Sequence, residues 1–151
     1  MNCGFEIETI SGKNDYVSRL LLSERTFQPA IVMCDEDKSF QDVYSMVKSA
    51  VKSLNLTPIQ IANIFDNIYT EVCDLAPDGS KYNMSGDWNC PKCGSVPLHY
   101  GPTNPPKYVE ANPPAVTHSR WDSLNEEEKL KLIRQLIKDK YPEYVVRGNP
   151  K

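Results

Sequence analysis

Cys90 and Cys93, in the run Asp87-Trp88-Asn89-Cys90-Pro91-Lys92-Cys93-Gly94-Ser95, are the residues whose type and spacing point most directly to chemistry. Two intervening residues let a tight turn hold two thiolates about 4 Å apart with its amides directed at the sulfurs, and a glycine after the second cysteine permits a left-handed backbone there. That is the geometry of a metal knuckle, with zinc the expected structural occupant. A closed tetrahedral site takes two further ligands, and the chain offers Cys3, Cys34, Cys73, His99 and His118. Cys73 is expected as the third ligand, because it stands at the exit of a helix where the chain must bend. His99 is expected as the fourth, with His118 or Cys3 as alternatives. Taken singly, Cys3 and Cys34 have the simpler reading of inert buried thiols.

The stretch from Trp88 to about Tyr100 resembles half of a zinc ribbon or of a rubredoxin-type site. The resemblance implies a structural metal held largely by thiolates, a setting that iron also occupies. The chain departs from a full ribbon in lacking a second Cys-x-x-Cys: Thr70 and Ala76 stand where a partner of Cys73 would be. A thioredoxin-like redox role for Cys90 and Cys93 is disfavoured, since Gly94-Ser95-Val96-Pro97 follows and no helix can start there to lower a thiol pKa. Weaker candidates have simpler explanations. Asp15, Asp35, Glu36, Asp37 and Lys38 could assemble a nuclease-like carboxylate–lysine site, but the acids before Phe40 suit the start of a helix. His118 could act as a general base, yet no nucleophile is marked out beside it. Ile61-Ala62-Asn63-Ile64-Phe65 looks like the opening of a helix-turn-helix, but the apolar spacing continues to Val72, as one helix requires.

The elements that must position these residues are read from period and punctuation. Phe5 to Ile10 alternates like a half-buried strand, Gly12-Lys13-Asn14-Asp15 is a turn, Tyr16 to Glu24 reads as a short helix, and Ala30 to Cys34 as a buried strand. Asp35, Glu36, Asp37 and Ser39 supply acids and a cap to a helix whose apolar stripe is Phe40, Val43, Val47, Ala50, Val51 and Leu54. Asn55 and Leu56 break it. Thr57-Pro58-Ile59-Gln60 restarts a second helix with stripe Ile61, Ile64, Phe65, Ile68 and Val72, and the two form an antiparallel hairpin. Residues 74–118 hold most of the prolines and glycines, and the segments 101–106 and 112–114 are expected to be extended, laid as connectors across the surface. A last helix runs from about Asn125 to Lys140, with Leu124, Leu130, Leu132, Ile133, Leu136 and Ile137 apolar. Its acidic start and basic end suit the helix dipole.

The expected fold is therefore α+β and mostly helical: two N-terminal strands, a helical hairpin, a zinc-knuckle loop region and a C-terminal helix. It forms one domain over 1–151, made of 1–73, 74–118 and 119–151. Composition agrees, with 40% apolar and 25% charged residues in 151. No apolar run is long enough for a bilayer and no leader or lipidation signal is seen, so no membrane is expected. Five unevenly spaced cysteines suit a reducing compartment, and the cytoplasm is the expected location. The net charge of −3 argues against nucleic acid as the main partner, although the bases gather late in the chain. Lys129, Lys131 and Arg134 are expected on an exposed face of the last helix. These features favour a non-enzymatic zinc-binding interaction protein, an adaptor or inhibitor with a protein partner. The alternatives are a zinc-knuckle nucleic-acid-binding regulator and a metal-dependent hydrolase or nuclease.

Overall fold

The computed structural model of the protein describes residue 3, residues 18–84, residue 90, residues 92–93 and residues 112–144. Its three longer helices begin where local side chains satisfy the orphan amides of a first turn. Helix α1, Lys38–Ala50, is capped by Asp37, whose carboxylate accepts from the Phe40 amide at 3.0 Å. Its apolar positions Phe40, Val43 and Val47 are buried, and Val51 continues the stripe just beyond the end. A single 3₁₀ turn, Lys52–Leu54, follows. Asn55 then turns the chain with a left-handed backbone at φ 52°, a conformation that asparagine tolerates better than most residues. Helix α2, Pro58–Val72, starts with a full capping box. The Gln60 amide donates to Thr57 Oγ1 at 3.2 Å and the Thr57 amide donates to Gln60 Oε1 at 2.9 Å. It runs unbroken through Asp66 and Asn67, so the helix-turn-helix alternative is set aside. Ile64, Phe65, Ile68, Tyr69 and Val72 are its buried face.

The strands depart from the sequence reading at Ser18–Ser23 and at Tyr82–Asn83. Strand β1, Ser18–Ser23, occupies the segment expected to be a short helix. It pairs antiparallel with β2, Pro29–Met33, in the register Ser18 to Met33 through Leu22 to Pro29. The physical reason is tertiary. A six-residue segment is too short to sustain an isolated helix, whereas the neighbouring turn offers it a partner. There the Ser23 amide donates to the Gln28 carbonyl at 2.9 Å, and Phe27 adopts φ 56°. Strand β3, Tyr82–Asn83, joins the other side of β1, giving the antiparallel order β2-β1-β3. The strand expected over 5–10 lies outside the described residues.

Part of the proline-rich segment is more than a connector. Residues 114–116 lie along the outer edge of β2 as a parallel bridge, with Ile31 N–H donating to Pro114 O and Val116 N–H donating to Ile31 O, both at 2.9 Å. Prolines suit an edge because they need no ladder donor of their own. Val116 is buried there. The turn around Asp78 is fastened to the β1–β2 turn: its carboxylate accepts from the hydroxyls of Ser23 and Thr26, each at 2.6 Å. A short helix α3, Ser119–Asp122, places Trp121 in the core, and α4, Glu126–Lys140, lays Ile133 and Ile137 against α1 and α2. Asn125 and Glu128 form a second capping box at its start. The mostly helical α+β architecture expected from the sequence is the one observed.

Val47 is fully buried while Lys48 beside it faces solvent. Val47→Asp is expected to cost several kcal/mol through an unpaired buried carboxylate, and Lys48→Asp less than about 1 kcal/mol, mostly through the helix dipole. Equal urea midpoints for the two variants would refute this packing.

Candidate metal centre

Three thiols from two distant parts of the chain come together. The sulfurs of Cys3, Cys90 and Cys93 all lie within 4.8 Å of one another, and the Cys3 and Cys90 sulfurs are 3.6 Å apart across a separation of 87 residues. Four sulfurs around a tetrahedral zinc at about 2.3 Å would stand about 3.8 Å apart. The cluster is therefore near the spacing that one metal ion demands. Cys3 and Cys90 are half-buried and Cys93 is exposed, which places the cluster at the surface. None of the five cysteines is disulfide-bonded.

Of the other expected ligands, Cys73 and His118 lie elsewhere. Cys73, expected as third ligand, is not in this cluster. It is 6% exposed, ends α2, and its thiol donates to the Tyr69 carbonyl at 3.3 Å. Burial pushes the Cys73 thiol up to about 12, against a smaller lowering by the Tyr69 hydroxyl, so at neutral pH it is a protonated core side chain. Position 73 continues the face of Phe65, Ile68, Tyr69 and Val72, which was the signal for burial. Cys3, ranked only as an alternative, takes its place in the group. Its position in the third residue, away from any apolar stripe, gave no sign of its partners. His99 lies outside the described residues.

His118 is 4% exposed and belongs to a different arrangement. Its Nε2 shares a 2.7 Å hydrogen bond with the Tyr69 hydroxyl, and Asp37 Oδ2 lies 3.9 Å from Nδ1. Burial first, then the neighbouring Cys73 and Asp37, raise the Tyr69 hydroxyl far above its usual range, so it stays an O–H. Around this pair the polar groups hold one another. The Asp74 carboxylate accepts from the Ser119 amide at 2.9 Å and the Thr117 hydroxyl at 2.7 Å, and these bonds hold its carboxyl down to about 2. The arrangement fastens the chain entering α3 to the end of α2. Cys34 is half-buried and packs against the core, with its sulfur 4.0 Å from the Val32 carbonyl. Asp35, Glu36 and Lys38 face solvent around the cap made by Asp37, as expected of helix-start residues. Lys129 corrects another expectation. It lies over the Trp121 ring at 5.2 Å and 3.7 Å from Asp42, with 16% of its side chain exposed, whereas Lys131 and Arg134 do face water.

The chain matches no protein-family model, no curated protein and no solved structure.

Cysteine accessibility gives a direct check. Under native, reducing conditions at pH 7.5 without metal, Cys93 should alkylate with iodoacetamide and Cys73 should stay unmodified until the chain is denatured. Native labelling of Cys73 at the rate of Cys93 would contradict its place in the core. A second check uses acid. Because the folded Asp74 carboxyl titrates below its unfolded value near 4, its stabilisation is present above about pH 4 and fades as pH falls towards 2. The stability gap between the native chain and Asp74→Asn, measured by urea unfolding, should therefore narrow between pH 4 and pH 2. A constant gap would show that the carboxylate bonds carry no stabilisation.

Proposed function

We propose that this chain is a small zinc-binding interaction protein in which a structural ion, held by Cys3, Cys90 and Cys93, ties the N-terminal segment to the 90–93 knuckle. The observation that carries the reading is the gathering of three sulfurs from segments 87 residues apart. Thiolates are the donors zinc prefers in closed structural sites, and one ion supplies cross-linking energy to the proline-rich segment that carries the knuckle. His99 is the proposed fourth ligand on sequence grounds, six residues beyond Cys93. A reducing compartment, the cytoplasm, suits such thiolates.

A binding role rather than catalysis is favoured because Cys73, Tyr69 and His118 are shut inside the core and the accessible thiols of Cys3, Cys90 and Cys93 are committed to the proposed metal site. A protein partner is favoured by exposed apolar side chains at both ends of α2, Ile59 at 74% and Leu75 at 60%. Two of the late bases are already matched by acids, Lys129 by Asp42 and Lys140 by Glu71, which weakens the case for nucleic acid. No helix among the described residues is long and apolar enough to cross a membrane.

The purified chain should carry about one zinc, Cys90→Ser should lose it, and Cys73→Ala should keep it. Metal-free protein, or a Cys73→Ala variant without zinc, would defeat the assignment. X-ray absorption showing bound water at the metal would favour the hydrolase. A duplex gel shift at physiological salt that disappears when Lys131, Arg134 and Lys138 lose their charge would favour the nucleic-acid regulator.

A further inference from the structure

Resting on that zinc reading, we infer that the same cluster is an oxidation site, where peroxide joins Cys3 to Cys90 as a disulfide and the metal is given up. The Cys3 and Cys90 sulfurs are 3.6 Å apart. A disulfide at about 2.05 Å needs only about 1.6 Å of further approach. Both residues are half-buried and Cys93 beside them is exposed, so a small oxidant reaches the sulfurs from solvent. Cys73 is withheld from the reaction by its burial.

The chemistry balances with hydrogen peroxide as oxidant. One thiolate of the pair attacks the O–O bond, takes one oxygen as a sulfenic acid and releases the other as hydroxide. The second thiolate attacks the sulfenic sulfur, forms the S–S bond and expels the remaining oxygen as hydroxide. Two protons convert both hydroxides to water, and the sulfur pair has lost two electrons. A site reduced to Cys93 and one further donor no longer satisfies tetrahedral zinc, so the ion leaves. The new bond joins the same two segments that the metal had joined. Oxidation therefore exchanges one cross-link for another and leaves the tether in place, which a bond within the Cys90–Cys93 knuckle would not do.

The chain is suited to a direct test, because trypsin places the three cysteines on separate peptides, 1–13, 82–92 and 93–107. Zinc-loaded full-length protein treated with one equivalent of hydrogen peroxide should release its zinc to a chromogenic chelator. Non-reducing mass spectrometry should show peptides 1–13 and 82–92 linked, about 2 Da below their summed mass, with Cys93 still open to alkylation. Cys93→Ser should form the same link, and Cys3→Ser should form none. A bond from Cys93 to either partner, or zinc retained through the treatment, would overturn this inference and leave the zinc assignment standing. Purified protein with no zinc that still forms the 3–90 link would instead defeat the zinc assignment.

Discussion

Tyr69 sits with its ring between two helices and its hydroxyl against a third segment, and the rest of the fold is arranged around that double role. The ring meets Phe40 of α1 edge-on at 5.0 Å and lies against Phe65 of α2 at 5.5 Å, while Phe40 and Phe65 meet at 5.0 Å. Such aromatic contacts add directional preference to ordinary burial. The hydroxyl cannot enter this core unpaired, and His118 supplies the partner. Satisfying one buried O–H thus fixes where residues 112–118 return. That return covers the edge of β2 and delivers Trp121 and α4 to the helical hairpin.

Local interactions account for most of what the sequence makes legible. The capping boxes at Thr57–Gln60 and Asn125–Glu128, the left-handed Asn55 and the stripe from Phe40 to Val51 are all decided within a few residues of themselves. The strand at Ser18–Ser23 is different in kind. Leu20-Leu21-Leu22 carries no period, and only pairing with β2 and β3 selects the extended form over a helix. Short apolar runs are ambiguous for that reason.

The candidate centre divides in the same way. Cys90 and Cys93 declare themselves by spacing, which is a local property of a turn. Cys3 does not, because its contact with Cys90 spans most of the chain and no nearby residue encodes it. Cys73 draws attention by sitting at a helix exit, yet the face it occupies on α2 commits it to the core. His118 is similar: a histidine between Thr117 and Ser119 looks available for chemistry until Tyr69 and Asp37 are seen on either side of it. Residue type indicates what a side chain can do, and burial then decides whether solvent or a partner can reach it.

The edge contact at Ile31 and Ala115 bears on how the molecule comes into being. A ribosome releases β2 and both hairpin helices well before residues 114–116, so the outer backbone of β2 stays unpaired for the interval in which some eighty residues are made. An open strand edge carrying the apolar run Ala30, Ile31 and Val32 is a template for pairing with another nascent chain. The late segment closes it, and Pro114 turns its carbonyl to β2 so that Pro113, which has no amide proton, stands on the outward side and offers a further strand no donor there. The nascent chain is thus most prone to association before its last third emerges, and the segment that completes the core also ends that exposure.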